Sequence, residues 1–213
     1  MDELIPRLAK PGSTVADPLG HVLGIARKID SRDGGTKRHS QVVARYAELT
    51  ARELGLPEDV VDDIRLAGLL HDVGKSEIPE RILAKPGPLS NIEWLEMRRH
   101  PWIAVELLED SGLDQIREWI YCHHERPDGS GYPGALRGDD VPEGASLLAL
   151  ADAWDVMVSD RSYSAPMSID AALAEARARA GTQFALCAVE ALASLAQRGD
   201  LIPAAARLHL PTA

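Results

Sequence analysis

Apolar residues in this chain recur three and four positions apart, in blocks closed by glycine or proline, and they nowhere alternate as a half-buried strand requires. That pattern predicts an all-α fold. Val42, Val43, Tyr46, Ala47 and Leu49 share one side of a helix over about 39–54, with Gly55 placed to end it. Pro57 opens the next helix, whose apolar face is Val60, Val61, Ile64, Ala67, Gly68, Leu69 and Leu70 and which ends at His71-Asp72 before Gly74. Ser90 and Glu93 form a capping box for a helix running to about His100, and Pro101 starts or kinks another that ends near Gly112. Further helices are expected over 17–29, 113–124, 144–159, 168–180 and 184–198, with a short piece from Pro203. Hydrophobic residues make up 45% of the chain and aromatics 4%, so alanine and leucine must fill the core, which favours closely packed helices over a sheet.

The 213 residues suit one domain, read as 17–213, preceded by an arm over 1–16 that carries Pro6, Pro11 and Gly12. A net charge of −10 weighs against a binder of nucleic-acid polymers, whose backbone affinity needs clustered Lys and Arg. No apolar stretch reaches the roughly 18 residues of a membrane helix, and no leader pattern is present, so a cytoplasmic protein is expected. Cys122 and Cys187 show no CxxC spacing and read as reduced buried thiols, although Cys122 adjoins two histidines. Residues 125–144 hold five glycines and three prolines, and a loop of that length inside a domain is usually functional.

Five of the seven histidines fall in four short clusters: His39; His71-Asp72 with Lys75; His100-Pro101; and His123-His124-Glu125, which leads into Asp128-Gly129-Ser130-Gly131-Tyr132-Pro133. Imidazoles and carboxylates that converge can hold two divalent transition metals, and two metals at close range hydrolyse phosphate esters. Two neighbours at a helix end can aim at one point, and an Asp can bridge two cations through its two oxygens. Lys75 can reach the same place as a cation for a phosphate oxygen. Asp152, flanked by Leu150, Ala151 and Ala153, reads as a buried carboxylate, for which a metal is a good partner. Taken singly, a histidine at a helix end more often solvates or offsets the helix dipole, and His21 and His209 are read that way.

The run His71-Asp72-x-Gly74-Lys75, followed by His123-His124-Glu125-x-x-Asp128-Gly129-x-Gly131-Tyr132-Pro133, closely resembles the HD-GYP subgroup of the HD-domain phosphohydrolases. The likeness runs from about Thr36 to Phe184 and includes Ile78-Pro79, Leu83-Ala84-Lys85-Pro86-Gly87, Ser159-Asp160-Arg161 with Tyr163, and Gly181-Thr182-Gln183-Phe184. It implies a single helical bundle of about seven to nine helices around a buried dinuclear metal site. It also implies hydrolysis of cyclic di-GMP to linear pGpG, and on to GMP in some members, by a metal-bridged hydroxide. Carried over by position, one metal takes His39, His71, Asp72 and Asp152, and the second takes Asp72, His100, His123 and His124. Lys75, Arg161 and Tyr132 are the implied substrate contacts. Iron or manganese best suits this donor set, and zinc or nickel could also occupy it. The Gly129–Pro133 segment is expected to shape the rim and to offer a docking face for a regulatory or cyclase protein, and a homodimer is compatible with the sequence.

Three positions depart from the family pattern. Gly35 stands where some members carry a third-metal glutamate, which favours two ions. Val42 and Ser164 replace residues that are often basic. The departures keep two other readings open: a phosphohydrolase for a mixed GMP–AMP ring or a nucleotide, and a catalytically silent signalling module.

Overall fold

The computed structural model describes residues 18–30, 38–160 and 165–201. The expected arm over 1–16, the piece from Pro203, and Gly35, Arg161, Tyr163 and Ser164 lie outside the described residues. Among the described residues there are nine helices of seven residues or more and one single turn. They are α1 (Pro18–Asp30), α2 (His39–Glu53), α3 (Glu58–Leu70), the turn α4 (Glu80–Leu83), α5 (Asn91–Met97), α6 (His100–Leu107), α7 (Asp114–Cys122), α8 (Glu143–Val158), α9 (Ile169–Ala178) and α10 (Leu186–Gln197). Among the described residues, extended pairing is limited to one isolated bridge between Ala180 and Phe184.

The centre of the bundle is α2, which packs against α3, α8 and α10. Its inner face is Val43, Ala47 and Ala51, each with no exposed surface. These meet Val61, Ile64 and Ala67 of α3 and Leu148, Ala151 and Trp154 of α8 in one continuous core. Small side chains at the contacts let helix axes approach, while Trp154 fills the remaining volume.

Two local features place the site. His71 forms the C-cap of α3, and a 3-10 turn over Val73–Glu77 follows at once. This turn presses against α6: a Cβ on Gly74 would stand 2.0 Å from the carbonyl oxygen of His100, so only glycine lets the two backbones meet. The second feature is a correction. The helix expected to run to His100 ends at Met97, and His100 instead opens α6 with Pro101 in its first turn. Proline lacks the N–H that a helix interior needs but is tolerated in a first turn, so the chain breaks ahead of it at Arg98-Arg99. The Ser90–Glu93 capping box is present as read.

Candidate metal centre

Helix ends deliver most of the site. His39 comes from the start of α2, His71 and Asp72 from the end of α3, His100 from the start of α6, and His123 and His124 from the end of α7, while Asp152 projects from within α8. Their rings form a connected chain, with centroids 5.5 Å apart for His39 and His71, 5.3 Å for His71 and His123, 5.3 Å for His100 and His123, and 4.0 Å for His123 and His124. All seven side chains expected from the sequence converge here.

The donors sort into two sets. The ligand atoms of His39, His71 and Asp72 lie within 4.8 Å of one another, and so do those of His100, His123 and His124. Asp72 stands between the sets. Its Oδ2 lies 3.3 Å from His71 Nε2 and 3.9 Å from His39 Nε2, and its Oδ1 lies 3.4 Å from His100 Nε2. Asp152 Oδ1 joins the first set at 3.2 Å from His39 Nε2. Asp152 is less enclosed than its apolar neighbours suggested: 24% of its side chain is exposed.

Backbone carbonyls decide which nitrogen of each ring is available. Nδ1 of His71 donates to Gly68 O at 2.9 Å, that of His100 to Met97 O at 2.8 Å, and that of His123 to Ile120 O at 2.5 Å. A carbonyl can only accept, so each Nδ1 carries the hydrogen and each Nε2 turns a lone pair to the centre. His71 Nε2 is buried and makes no hydrogen bond, since its approach to Asp72 is too poorly aligned. A buried lone pair without a donor costs free energy unless something electrophilic meets it. With Nε2 atoms of His100 and His123 only 3.4 Å apart, the donor set fits divalent cations and fits little else.

His39 is oriented differently, by a residue that the sequence reading missed. Its Nδ1 donates to Asp155 Oδ2 at 2.7 Å, and Asp155 is completely buried and also accepts from Ser159 Oγ at 2.6 Å. The spacing of Asp155 three residues after Asp152, one turn along α8, was the available signal. Burial works against charge on His39, but hydrogen bonds to Asp152 and Asp155 and the nearby carboxylate of Asp72 outweigh it and raise its pKa to about 10. Burial and the neighbouring rings lower the other half of the site: His100 to about 4, His124 to about 3, and His123 well below the usual range. Asp72 resists the cost of burial and stays well below the ordinary carboxylate range, held there by Lys75, His71 and His100. His100, His123 and His124 are thus neutral ligands in waiting, and Asp72 and Asp152 are ionised.

The remaining predicted contacts surround this centre. Lys75 Nζ lies 2.7 Å from Asp72 Oδ2. Tyr132 stacks on His124 with centroids 4.8 Å apart, and the Arg98 guanidinium carbon lies 4.3 Å from the same ring's centroid. The long loop carrying Tyr132 is anchored by Glu125, which is 2% exposed and accepts from the backbone N–H groups of Gly134 and Leu136. Tyr132 N donates to His124 O at 3.2 Å, and a Cβ at Gly131 would fall 2.5 Å from Arg126 N, so the loop folds tightly back on the histidine pair. Cys122 is buried, its thiol is pushed up to about 11 by that burial, and it belongs to neither donor set.

The chain has known relatives. The profile of the HD domain family matches residues 25–185. A cyclic di-GMP phosphodiesterase response regulator, RpfG, from Xanthomonas campestris is 43% identical over 79% of this chain and 45% of its own length. The chain belongs to the HD-GYP group of the HD-domain family. A 3'3'-cGAMP-specific phosphodiesterase from Vibrio cholerae is 40% identical over 80% of this chain and 33% of its own length. A cyclic di-GMP phosphodiesterase from Thermotoga maritima is 37% identical over 84% and 50%. The chain therefore spans half or less of these curated relatives. The HD-GYP-type protein Bd1817 from Bdellovibrio bacteriovorus shares the fold with a TM-score of 0.63 at 16% identity, covering 92% of this chain and 78% of that one. The HD domain of a Listeria monocytogenes phosphodiesterase, PgpH, solved with cyclic-di-AMP, does so at 0.56 and 17% identity, covering 89% and 99%. Among the described residues no helix is long and apolar enough to cross a membrane.

Proposed function

We propose that this chain is a metal-dependent phosphodiesterase that hydrolyses cyclic di-GMP to linear pGpG and onward to GMP. The observation that carries the reading is Asp72, with one oxygen turned to the His39–His71 set and the other to the His100 set, as a carboxylate shared by two cations requires. His39, His71, Asp72 and Asp152 would hold one ion, and Asp72, His100, His123 and His124 the other. Iron or manganese suits these donors best, with zinc or nickel as substitutes. Divalent ions there supply Lewis-acid polarisation of a phosphoryl oxygen and bring the pKa of water towards neutrality.

The chain's own groups do the rest. Asp72 fixes the separation of the two donor sets. Lys75 places a positive charge beside Asp72, where negative charge grows on a phosphate as its diester bond breaks. Asp155 holds the imidazole of His39 in one orientation. Tyr132, packed on His124, sets the wall along which the substrate enters, and Arg161 is proposed as a further phosphate contact. The unit is read as one domain over 17–213 acting in the cytoplasm, with the Gly129–Pro133 rim available to a regulatory or cyclase protein and a homodimer compatible with it.

The test is incubation of metal-loaded protein with cyclic di-GMP and chromatography of the products. Wild type should yield pGpG and then GMP, and Asp72→Ala should lose bound metal and turnover together. Turnover that survives in Asp72→Ala defeats the mechanism. Preferential cleavage of a mixed GMP–AMP ring supports a second reading, favoured by the 40% identity to the Vibrio cholerae enzyme.

A further inference from the structure

A cleft of about 580 Å³ opens beside the metal centre, lined by Trp94, Arg98, His124, Arg126 and Tyr132 among others. His124 faces both the cleft and the second donor set, so one ligand can occupy the two together. Volumes of about 300–1,000 Å³ are usual for small-molecule sites.

The lining is unlike the rest of the molecule. The chain carries a net charge of −10, yet among the described lining residues of the cleft the charged side chains are Arg98 and Arg126, with no carboxylate. A wall of that kind selects an anion. It also selects a flat ring. Trp94 keeps 48% of its surface exposed, on a helix none of whose residues is buried. That helix is nonetheless held firmly, by the Ser90–Glu93 capping box and by an ion pair from Lys85 to Glu93 at 2.5 Å. The Tyr132 ring is already packed by His124 and Arg98. Trp94 therefore offers the open aromatic surface of the cleft.

We infer that this cleft is the purine subsite of the enzyme, in which one base of the cyclic dinucleotide lies on the Trp94 indole while Arg98 and Arg126 donate to its Hoogsteen edge. Guanine presents two acceptors there, O6 and N7, which a guanidinium matches, whereas adenine presents a donor in place of one of them. The site thus prefers guanine, and Trp94 is a binding and specificity residue rather than a catalytic one. The inference rests on the cyclic dinucleotide reading given above.

Calorimetric titration of the metal-loaded full chain with a hydrolysis-resistant phosphorothioate analogue of cyclic di-GMP tests it, alongside KM and kcat for cyclic di-GMP itself. Base stacking on an aromatic side chain is usually worth enough that Trp94→Ala should raise both Kd and KM about 5- to 100-fold while changing kcat much less. Trp94→Phe should recover most of the loss, and Arg126→Met should cut the preference for cyclic di-GMP over cyclic di-AMP about tenfold. Unchanged metal content and unfolding midpoint show that the variants are folded. Kd and KM within twofold of wild type in Trp94→Ala overturn the subsite even if cyclic di-GMP is hydrolysed. Tight, Trp94-dependent binding without hydrolysis by wild type would overturn the enzymatic reading and leave the subsite standing.

Discussion

Replacing Asp155 by asparagine isolates the charge behind His39 from its shape. Asp155 is fully buried and accepts hydrogen bonds from His39 Nδ1 at 2.7 Å and from Ser159 Oγ at 2.6 Å. An asparagine side chain is isosteric. Its oxygen can still accept from His39, and its NH2 can donate to a Ser159 hydroxyl that turns to accept. The fold should therefore survive, and what disappears is the negative charge that makes the His39 imidazole a strong donor. Loss of such a supporting partner typically costs about 10–100-fold in metal affinity or activity, or about 1.4–2.7 kcal/mol. Of the seven donors Asp155 hydrogen-bonds to His39, whereas His100 and His123 are oriented by the carbonyls of Met97 and Ile120. Competition against a chromophoric chelator should therefore show two binding phases in wild type, of which one weakens by this amount in Asp155→Asn while the other stays put. Turnover should fall and recover in part at high metal concentration. Two unaltered phases in a folded variant would refute the reasoning, and so would equal weakening of both.

Two further outcomes follow from the same geometry. Glu125→Gln sets an amide NH2 against one of the backbone N–H groups of Gly134 and Leu136, at a cost of about 1–3 kcal/mol, so the unfolding midpoint should drop by about 2–12 °C; a midpoint within one degree of wild type by calorimetry would contradict it. Metal-free protein should lose stability as pH falls from about 6.5 to about 4: His100 and His124, lowered to about 4 and about 3, stay neutral in the fold while the unfolded chain takes up protons, so the unfolded state is favoured by about 2 kcal/mol per such histidine at pH 5. His39, raised to about 10, opposes this: it is protonated in the fold throughout, while the unfolded chain protonates it only below about 6.5, so it adds about 1.4 kcal/mol of stability between pH 7.5 and pH 5, which His100 and His124 together outweigh. Urea unfolding of chelator-treated protein at pH 7.5 and pH 5 reads this, and equal midpoints would count against it.

Helix-period patterning and end signals made the bundle legible, because caps, prolines and glycines act over three or four residues. Six of the seven proposed metal donors sit at or beside those helix ends in short clusters of distinctive composition, which made them stand out, whereas Asp152 lies within α8 and was suggested by its apolar neighbours and the family likeness. Four things were not legible. The break before His100 rather than after it depends on where a proline can be accommodated, and the pattern around Pro101 allowed either side. The pairing of His39 with Asp155 joins residues 116 apart in sequence, and periodicity orders the faces of each helix without saying which faces meet. The cleft wall of Trp94, Arg98 and Arg126 combines α5 with the long loop, and nothing local ties those segments together. Glu125 was visible within a motif, but its role as the loop's anchor required the loop's path.

Anomalous diffraction from crystals grown with manganese tests the central claim most directly. Two peaks about 3.5–4 Å apart should appear, with the Asp72 oxygens divided between them, His39 and His71 on one side and His100 and His123 on the other. A single peak, or two that Asp72 does not join, would contradict a shared-carboxylate centre.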